Sequence, residues 1–561
     1  MLQKNKEYVM LGLAIVVIML VTGFPLLTKG VGGDTGDLTY HLLRIASMKE
    51  AIVNGAFPPR VSPIYANGYG YGSSLFYPDI FLVFPALFSI MGASLLLSYK
   101  IFVFLIMVAG SCTTYFSLKF ISGDSKSALL GSTVLMLSNF YIADINNRSG
   151  VSEYLACAFV PLLVAGIYDY FAFQGKRTYL LGVGFVGLAL SHTIMTFIGA
   201  VVTTLVFAGM LLVPRKRKLV FEKKRFARLF ITGVMSVLVA GYYVFPMLEQ
   251  FVDGWFLVGA PWAKVGSFTQ TLEDLFAPVG IFVFTAKFGV GIALLVWIAG
   301  RVVLGRVKNR WADFFLVIGL LLLLGMTDLV VPWKLLENTP FNMIQFTYRF
   351  YPYVLFFLVC GMTICYAEKS REGVIGRTAF GTIALLAVIC GVWQNKYCMD
   401  NTSRTDISDA FVYENDTWVG HGEWYPCEVA TEVCLGNGEG VVYSAYGDKL
   451  PWTVTGYLEY EFMVTEETGL SCMAPLIYYK GYEAGYELDG EWHKLPVSKS
   501  SSGLVEIEFE QPMETVITVR YGGTFVQMIS NIISVVTVIG LVGLGLYRGR
   551  KRKKQKEEIS T

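Results

Sequence analysis

Histidine is scarce in this chain of 561 residues: only His41, His192, His421 and His493 occur, far apart, and the nine cysteines fall into no zinc-ligand spacing. A histidine- or cysteine-built metal centre is therefore not expected. Charge is also sparse. Charged residues make up 16% of the chain, and 45 Lys and Arg against 43 Asp and Glu leave a net charge of +2. The cations gather in short runs between apolar stretches and in RGRKRKKQKEE near the end, a pattern that reports membrane orientation and implies no nucleic-acid partner. There is no G-x-x-x-x-G-K-[ST] loop and no G-x-G-x-x-G after a strand, since the glycines around Tyr69 sit in a polar loop, so no nucleotide-binding domain is expected. Residues 8–28, behind Lys4 and Lys6, lack the short apolar core and small-residue cleavage site of a secretory signal, and are expected to remain as a transmembrane helix.

What the chain has in quantity is apolar length. Hydrophobic residues reach 54% and mean hydropathy is +0.54, which with many runs of roughly 18 apolar residues implies a polytopic α-helical membrane protein. Placing the basic loops (Arg215 to Arg225, RVVLGRVKNR, AEKSREGVIGR and the tail) inside puts residues 30–74 outside. Phe76 to Leu97 is then either a full span, with Thr178 to Pro214 one long one, or a half-buried outer helix, with Thr178 to Pro214 two spans turning near His192. The second choice keeps Lys119, Lys126, Lys176 and Arg177 inside and is preferred. It gives about twelve spans, at 8–28, 99–120, 127–144, 154–174, 178–191, 194–213, 228–247, 288–304, 312–329, 349–366, 377–394 and 526–547.

The outer side collects the unusual chemistry, and ionisable groups converging on one membrane face define a site hypothesis. In Gly32 to Arg60, a helix over 38–53 places Leu38, Leu42, Ile45, Met48 and Ile52 on one stripe, suited to a bilayer surface or a bundle. Asp37, His41 and Arg44 share another face. The structural alternative is that Asp34 caps this helix and Asp37 complements its dipole. After Pro58 and Pro59 the loop is rich in tyrosine and glycine, and Tyr69 and Tyr71 are candidates for stacking on a sugar or for anchoring at the interface. Residues 395–525 are polar. Val505, Ile507 and Phe509 alternate with Glu506, Glu508 and Glu510, and TVITVRY continues the β pattern, so an extracytoplasmic β-sandwich before the last helix is expected. Cys398, Cys427, Cys434 and Cys472 fall there, an even number consistent with disulfides in any of three pairings.

A first span followed by an acidic outer loop, the R-x-G-x-x-E turn at Arg148 to Glu153, MIQFTYRF at Met343 to Phe350, and MAPLIYYKGYEAGYELDGEWHKL followed by strands and a last span together resemble bacterial YfhO-like proteins. They also resemble the membrane proteins labelled "6-pyruvoyl-tetrahydropterin synthase-related". The resemblance covers essentially the whole chain. It implies a GT-C-like transmembrane domain at 1–394 with an outer-loop active site at 29–98, the β-domain at 395–525, and a final helix and basic cytoplasmic tail at 526–561. It further implies a bacterial cytoplasmic-membrane location, both termini cytoplasmic, and sugar transfer from a polyprenyl-phosphate donor to an envelope glycan or lipid acceptor such as a teichoic acid, with inversion. Asp37 matches the family's first-loop acid and Arg349 the arginine of its Q-F-x-x-R-F motif. The pterin label does not carry over as chemistry, because no histidine cluster is present to hold zinc.

A lipid-phosphate sugar is already activated, so the protein must supply a base, stabilise the leaving phosphate and position both substrates. Asp37 is the candidate base. Arg349, Arg148, Lys287 and Arg44 are candidates for the phosphate, with Asp34, His41, Glu153, His192, Gln345, Tyr69 and Tyr71 to orient substrates. Asp34 with Asp37 offers a place for a divalent cation, Mg or Mn. Two other function classes fit the same composition: a transporter or flippase of lipid-linked glycans, and a non-catalytic envelope scaffold. A transporter calls for internal repeats and charges at the bilayer midplane, and neither is apparent.

Overall fold

The computed structural model describes residues 2–28, 30–32, 37–282, 287–417, 419–420, 422–429 and 441–560. Among the described residues, eight helices are long and apolar enough to cross a membrane: Asn5–Thr28, Leu95–Ser122, Val151–Ala172, Thr193–Leu211, Lys223–Asp253, Thr347–Arg371, Thr378–Asp400 and Phe525–Lys551. The pair Ser125–Met136 and Asn139–Asn146, bent by 45°, makes nine if taken as one span. Twelve is not reached on this basis. Tyr179–Ala189, Ile292–Val303 and Trp311–Gly325 are helical where spans are expected but have only 10–17 residues, and at 1.5 Å per residue they fall short of a hydrocarbon core of about 30 Å. Phe76 to Leu97 is not one span. Its helix Ile80–Ile90 is short, and a new helix begins at Leu95, where Ser94 Oγ accepts the Leu97 N–H at 3.2 Å. The Thr178 to Pro214 stretch likewise breaks at Leu190 to His192.

The chain divides into two compact units. The first comprises Met1–Pro58, Asp79–Arg228 and Ala260–Glu423 and is mainly helical among its described residues, with one short antiparallel pair, strands β1 (Val31–Gly32) and β2 (Arg404–Thr405). Its helix Asp37–Val53 buries the expected stripe at Leu38, Leu42, Ile45 and Met48, but His41 and Arg44 are buried too, so both faces are packed rather than one lying on a bilayer.

The second unit comprises Pro59–Pro78, Leu229–Gly259 and Trp424–Thr561. Ten strands follow one another: β3 (Val442–Ser444), β4 (Lys449–Leu450), β5 (Trp452–Gly456), β6 (Glu459–Val464), β7 (Ser471–Ile477), β8 (Tyr482–Leu488), β9 (Glu491–Leu495), β10 (Val497–Lys499), β11 (Leu504–Glu508) and β12 (Thr515–Tyr521). They form two five-stranded sheets of order β10-β11-β7-β3-β4 and β5-β6-β12-β8-β9, which meet where β8 touches β10 and β4 touches β6. Alternation decides the core: Val505 and Ile507 of β11 and Cys472 and Ala474 of β7 are buried, as are Tyr460, Phe462 and Val464 of β6 and Ile517 and Val519 of β12. Among the described residues the first strand of these sheets is Val442–Ser444. Residues 395–400 still belong to the helix Arg377–Asp400, and Arg404 and Thr405 pair with the first loop of the helical unit.

Cys398, Cys427 and Cys472 are free thiols, so the expected disulfides are not formed among them; Cys434 lies outside the described residues. Cys398 is buried beside Gln394, whose Nε2 donates to its Sγ at 3.1 Å, and Cys472 lies in the β-core.

Tyr69 and Tyr71, expected as stacking or interfacial aromatics, are buried in the core of the second unit. Tyr71 packs edge-on against Tyr65 and Tyr425, and its hydroxyl accepts the Trp424 N–H at 3.1 Å. Gly72 lets Tyr479 approach: a Cβ there would stand 2.7 Å from its ring.

Candidate active site

The broken span at Ser125–Asn146 creates the site. Its last helix, Asn139–Asn146, ends in the turn Asn147 to Gly150, and Val151–Cys157 starts the next span. Side chains and backbone pin the turn from three directions. Asn146 Nδ2 donates to Thr22 O and to Asn395 Oδ1, both at 2.7 Å. Asn147 Nδ2 donates to Thr402 Oγ1 at 2.7 Å, and its Oδ1 accepts the Phe282 N–H. Ser149, at φ +63°, donates to Gly32 O at 2.7 Å and accepts from Tyr99 Oη at its own carbonyl. A non-glycine residue in the left-handed region is strained, and such strain concentrates where a side chain must be aimed.

Arg148 is aimed into the middle of a charge lattice. Its Nε donates to Asp37 Oδ2 at 2.9 Å and its Nη1 to Glu153 Oε2 at 2.6 Å, with Asp144 Oδ1 at 3.8 Å. The Phe282 ring lies 5.3 Å from the guanidinium carbon. Arg349 Nε approaches Glu153 Oε2 at 3.5 Å, while its Nη1 donates to Ile344 O and to Gln345 Oε1, both at 2.8 Å. Gln345 is held at φ +61° to make that contact. Arg44 Nη1 donates to Ser152 Oγ at 2.8 Å and lies 3.3 Å from His41 Nδ1, which must be the acceptor because a guanidinium has no lone pair to offer. His192 Nδ1 accepts the Met195 N–H, and its Nε2 faces Glu153 Oε2 at 3.9 Å.

Three carboxyl groups and three guanidiniums therefore meet in one place: Asp144, Glu153, Arg44 and Arg349 are buried, the Arg148 side chain is 14% exposed, and Asp37 keeps 35% of its side-chain surface. Burial, with the cations Arg44 and Arg148 and with His192 nearby, pushes His41 well below the usual imidazole range. Burial also lowers His192, to about 3; Glu153 opposes the shift, and Arg349, Arg148 and Arg44 add to it. Both rings are thus neutral at pH 7. Burial works against the charge on Arg148, but the acidic groups around it, Tyr348, Glu153, Asp37 and Asp144, outweigh burial and hold it protonated.

Of the residues singled out in the sequence, Asp37, His41, Arg44, Arg148, Glu153, His192, Gln345 and Arg349 come together here. Lys287 does not: it is exposed, and no ion pair joins it to the lattice among the described residues. Asp34 lies outside the described residues. Asp144 and Ser152 belong to the lattice without having been singled out, although the D-x-x-x-R and R-x-x-x-x-E spacings inside an apolar stretch were a usable signal. Asp37 shares Oδ2 with Arg148, and among the described residues no three His, Cys, Asp or Glu stand close enough together to hold a metal.

Residues 75–399 match the profile of a family described as "6-pyruvoyl-tetrahydropterin synthase related domain; membrane protein". No curated protein matches the chain. Among solved structures, the arabinofuranosyltransferase AftD from Mycobacteria is similar at a TM-score of 0.43 and 16% identity, over 69% of this chain and 26% of that one. An oligosaccharyltransferase of Archaeoglobus fulgidus in the apo form is similar at a TM-score of 0.36 and 12% identity, over 75% of this chain and 60% of that one. The chain spans about a quarter of the AftD chain and three-fifths of the oligosaccharyltransferase chain.

Proposed function

This chain belongs to the family of membrane proteins described as 6-pyruvoyl-tetrahydropterin synthase related, and we propose that it is a membrane glycosyltransferase that moves a sugar from a polyprenyl-phosphate donor to an envelope glycan or lipid acceptor. The observation that carries the reading is the half-buried carboxylate Asp37, the most open acid of the lattice, bonded to the largely covered Arg148 beside the buried cations Arg349 and Arg44. A base and a phosphate-stabilising set are what transfer from a lipid phosphate requires, and fixed charges in a dry site need no reorganisation during reaction. In the proposed reaction, the acceptor hydroxyl gives its proton to Asp37. Its oxygen bonds to the anomeric carbon as the bond to the phosphate oxygen breaks, and the electron pair leaves on the phosphate. Arg148 and Arg349 stabilise that charge. In-line displacement inverts the anomeric centre. Glu153 holds both arginines, and His41 and Ser152 hold Arg44. The site would face outward across a bacterial cytoplasmic membrane, with both termini inside.

The test is mass spectrometry of envelope glycans and lipid-linked sugars from cells lacking the protein, restored with wild type or with Asp37→Asn at equal abundance. Transfer predicts that a sugar decoration returns with wild type alone and that its lipid-phosphate donor accumulates with Asp37→Asn. Full restoration by Asp37→Asn would remove Asp37 from the chemistry. Accumulation of the donor on the inner leaflet in both strains would favour transport.

A further inference from the structure

Arg148 serves three carboxylates that differ in one respect. Glu153 is 1% exposed and Asp144 is fully buried, whereas Asp37 keeps 35% of its side-chain surface. Neither oxygen of Asp144 has a hydrogen-bond partner, and Asp144 stays 3.8 Å behind the guanidinium. Gly150 leaves this space free. A Cβ there would stand 2.7 Å from Asp144 Oδ1 and 3.6 Å from Arg148 Cδ. The inner edge of Arg148 is thus anchored by Glu153, with Asp144 behind it, and its Nε donates to Asp37, the most open of the three carboxylates and so the partner best placed to be exchanged with something arriving from outside.

We propose that the position in front of Arg148 Nε, filled here by the Asp37 carboxylate, is the seat of the donor's phosphate. Asp37 and a lipid phosphate compete for one guanidinium edge, and donor binding frees Asp37 to take the acceptor's proton. The base is therefore released only when a donor is in place, which orders the two substrates. Carboxylate and phosphate present the same kind of oxygen pair to arginine, so the exchange needs no new geometry. The inference rests on the glycosyltransferase reading for the identity of the phosphate; the competition itself does not depend on transfer.

The experiment is a double-mutant cycle on undecaprenyl phosphate binding, by native mass spectrometry of the full-length protein in phosphatidylcholine nanodiscs. Competition predicts that Asp37→Asn tightens binding about tenfold in the presence of Arg148, but about twofold or less in the Arg148→Gln background. An equal gain in both backgrounds means plain charge repulsion and overturns the proposal. Arg148→Lys covers a failure of Arg148→Gln to fold, because one ammonium does not reproduce the fork that holds Asp37 and Glu153 together, so the gain shrinks there as well. If the coupling appears with phosphatidylglycerol and not with undecaprenyl phosphate, the seat belongs to a bilayer headgroup and the donor assignment falls. Loss of the sugar decoration on Asp37→Asn together with an additive cycle would leave the transferase reading standing and sink only the shared seat.

Discussion

His192 turns its two ring nitrogens to different tasks: Nδ1 accepts the Met195 N–H at 3.3 Å and caps a membrane helix, while Nε2 faces Glu153 Oε2 at 3.9 Å. The cap requires a neutral ring with its proton on Nε2. Burial makes the same demand, lowering His192 to about 3 and His41 well below its usual range. In the unfolded chain both protonate near 6.5, the ordinary value of an imidazole. A group whose folded pKa is depressed contributes its full stability above the unfolded pKa and loses it as pH falls toward the folded one. Unfolding of the wild type should therefore become easier as pH drops below about 6.5, and the slope for His192→Gln should be shallower by about one proton, about 1.4 kcal/mol per pH unit. Thermal unfolding in nanodiscs between pH 7 and 4 checks this, and parallel slopes would refute it.

Glu153 is the inner anchor of both Arg148 and Arg349, and its replacement leaves the buried Arg349 and the largely covered Arg148 facing a neutral amide. Glu153→Gln is expected to cost about 3–5 kcal/mol, the range for breaking a buried pair from one side. Lower yield and an earlier thermal transition would mark it. Asp37→Asn, at the exposed end of the lattice, should leave the transition within about 1 kcal/mol of wild type.

Tyr71 was legible in the sequence as an aromatic in a glycine-rich outer loop, and that context does not distinguish a sugar platform from a core. Its seat between Tyr65 and Tyr425 predicts a purely structural effect. Tyr71→Ala should destabilise by about 3–5 kcal/mol. The proposed sugar transfer, measured per folded molecule, should stay at the wild-type level. A selective loss of transfer with an unchanged thermal transition would contradict the burial.

Periodicity and charge placement carried most of what the sequence told. The alternation of Val505, Ile507 and Phe509 marked a strand, and Arg148, Glu153 and Arg349 stood out because ionisable groups are costly at a membrane. What was not legible depends on contacts distant in sequence. Nothing local says that Arg404 reaches Gly30 O and Asn146 O, or that the β-domain therefore starts later than the polar segment does. Span count failed for a different reason: an apolar run marks a buried helix as well as a membrane-crossing one, and Trp311–Gly325 has the composition of a span without its length.

Gly32 joins that distant scaffold to the site. Its strand pairs with Arg404, its carbonyl accepts from Ser149 Oγ, and a Cβ on it would stand 2.8 Å from Asn146 O and 2.9 Å from Asn147 O. Those are backbone atoms of the turn that carries Arg148, so they cannot step aside as a flexible side chain would. Gly32→Ala should push the first loop away from that turn and cost about 1–3 kcal/mol of stability. The larger effect falls on geometry, because Asp37 lies five residues on and its 2.9 Å bond to Arg148 depends on that spacing. For the proposed base and its arginine, a displacement near 1 Å is worth about 100-fold in rate. Gly12→Ala, with nothing within 4 Å of its Cβ, is the matched control. Complementation by Gly32→Ala equal to that by Gly12→Ala would mean that the first loop does not set the position of Asp37.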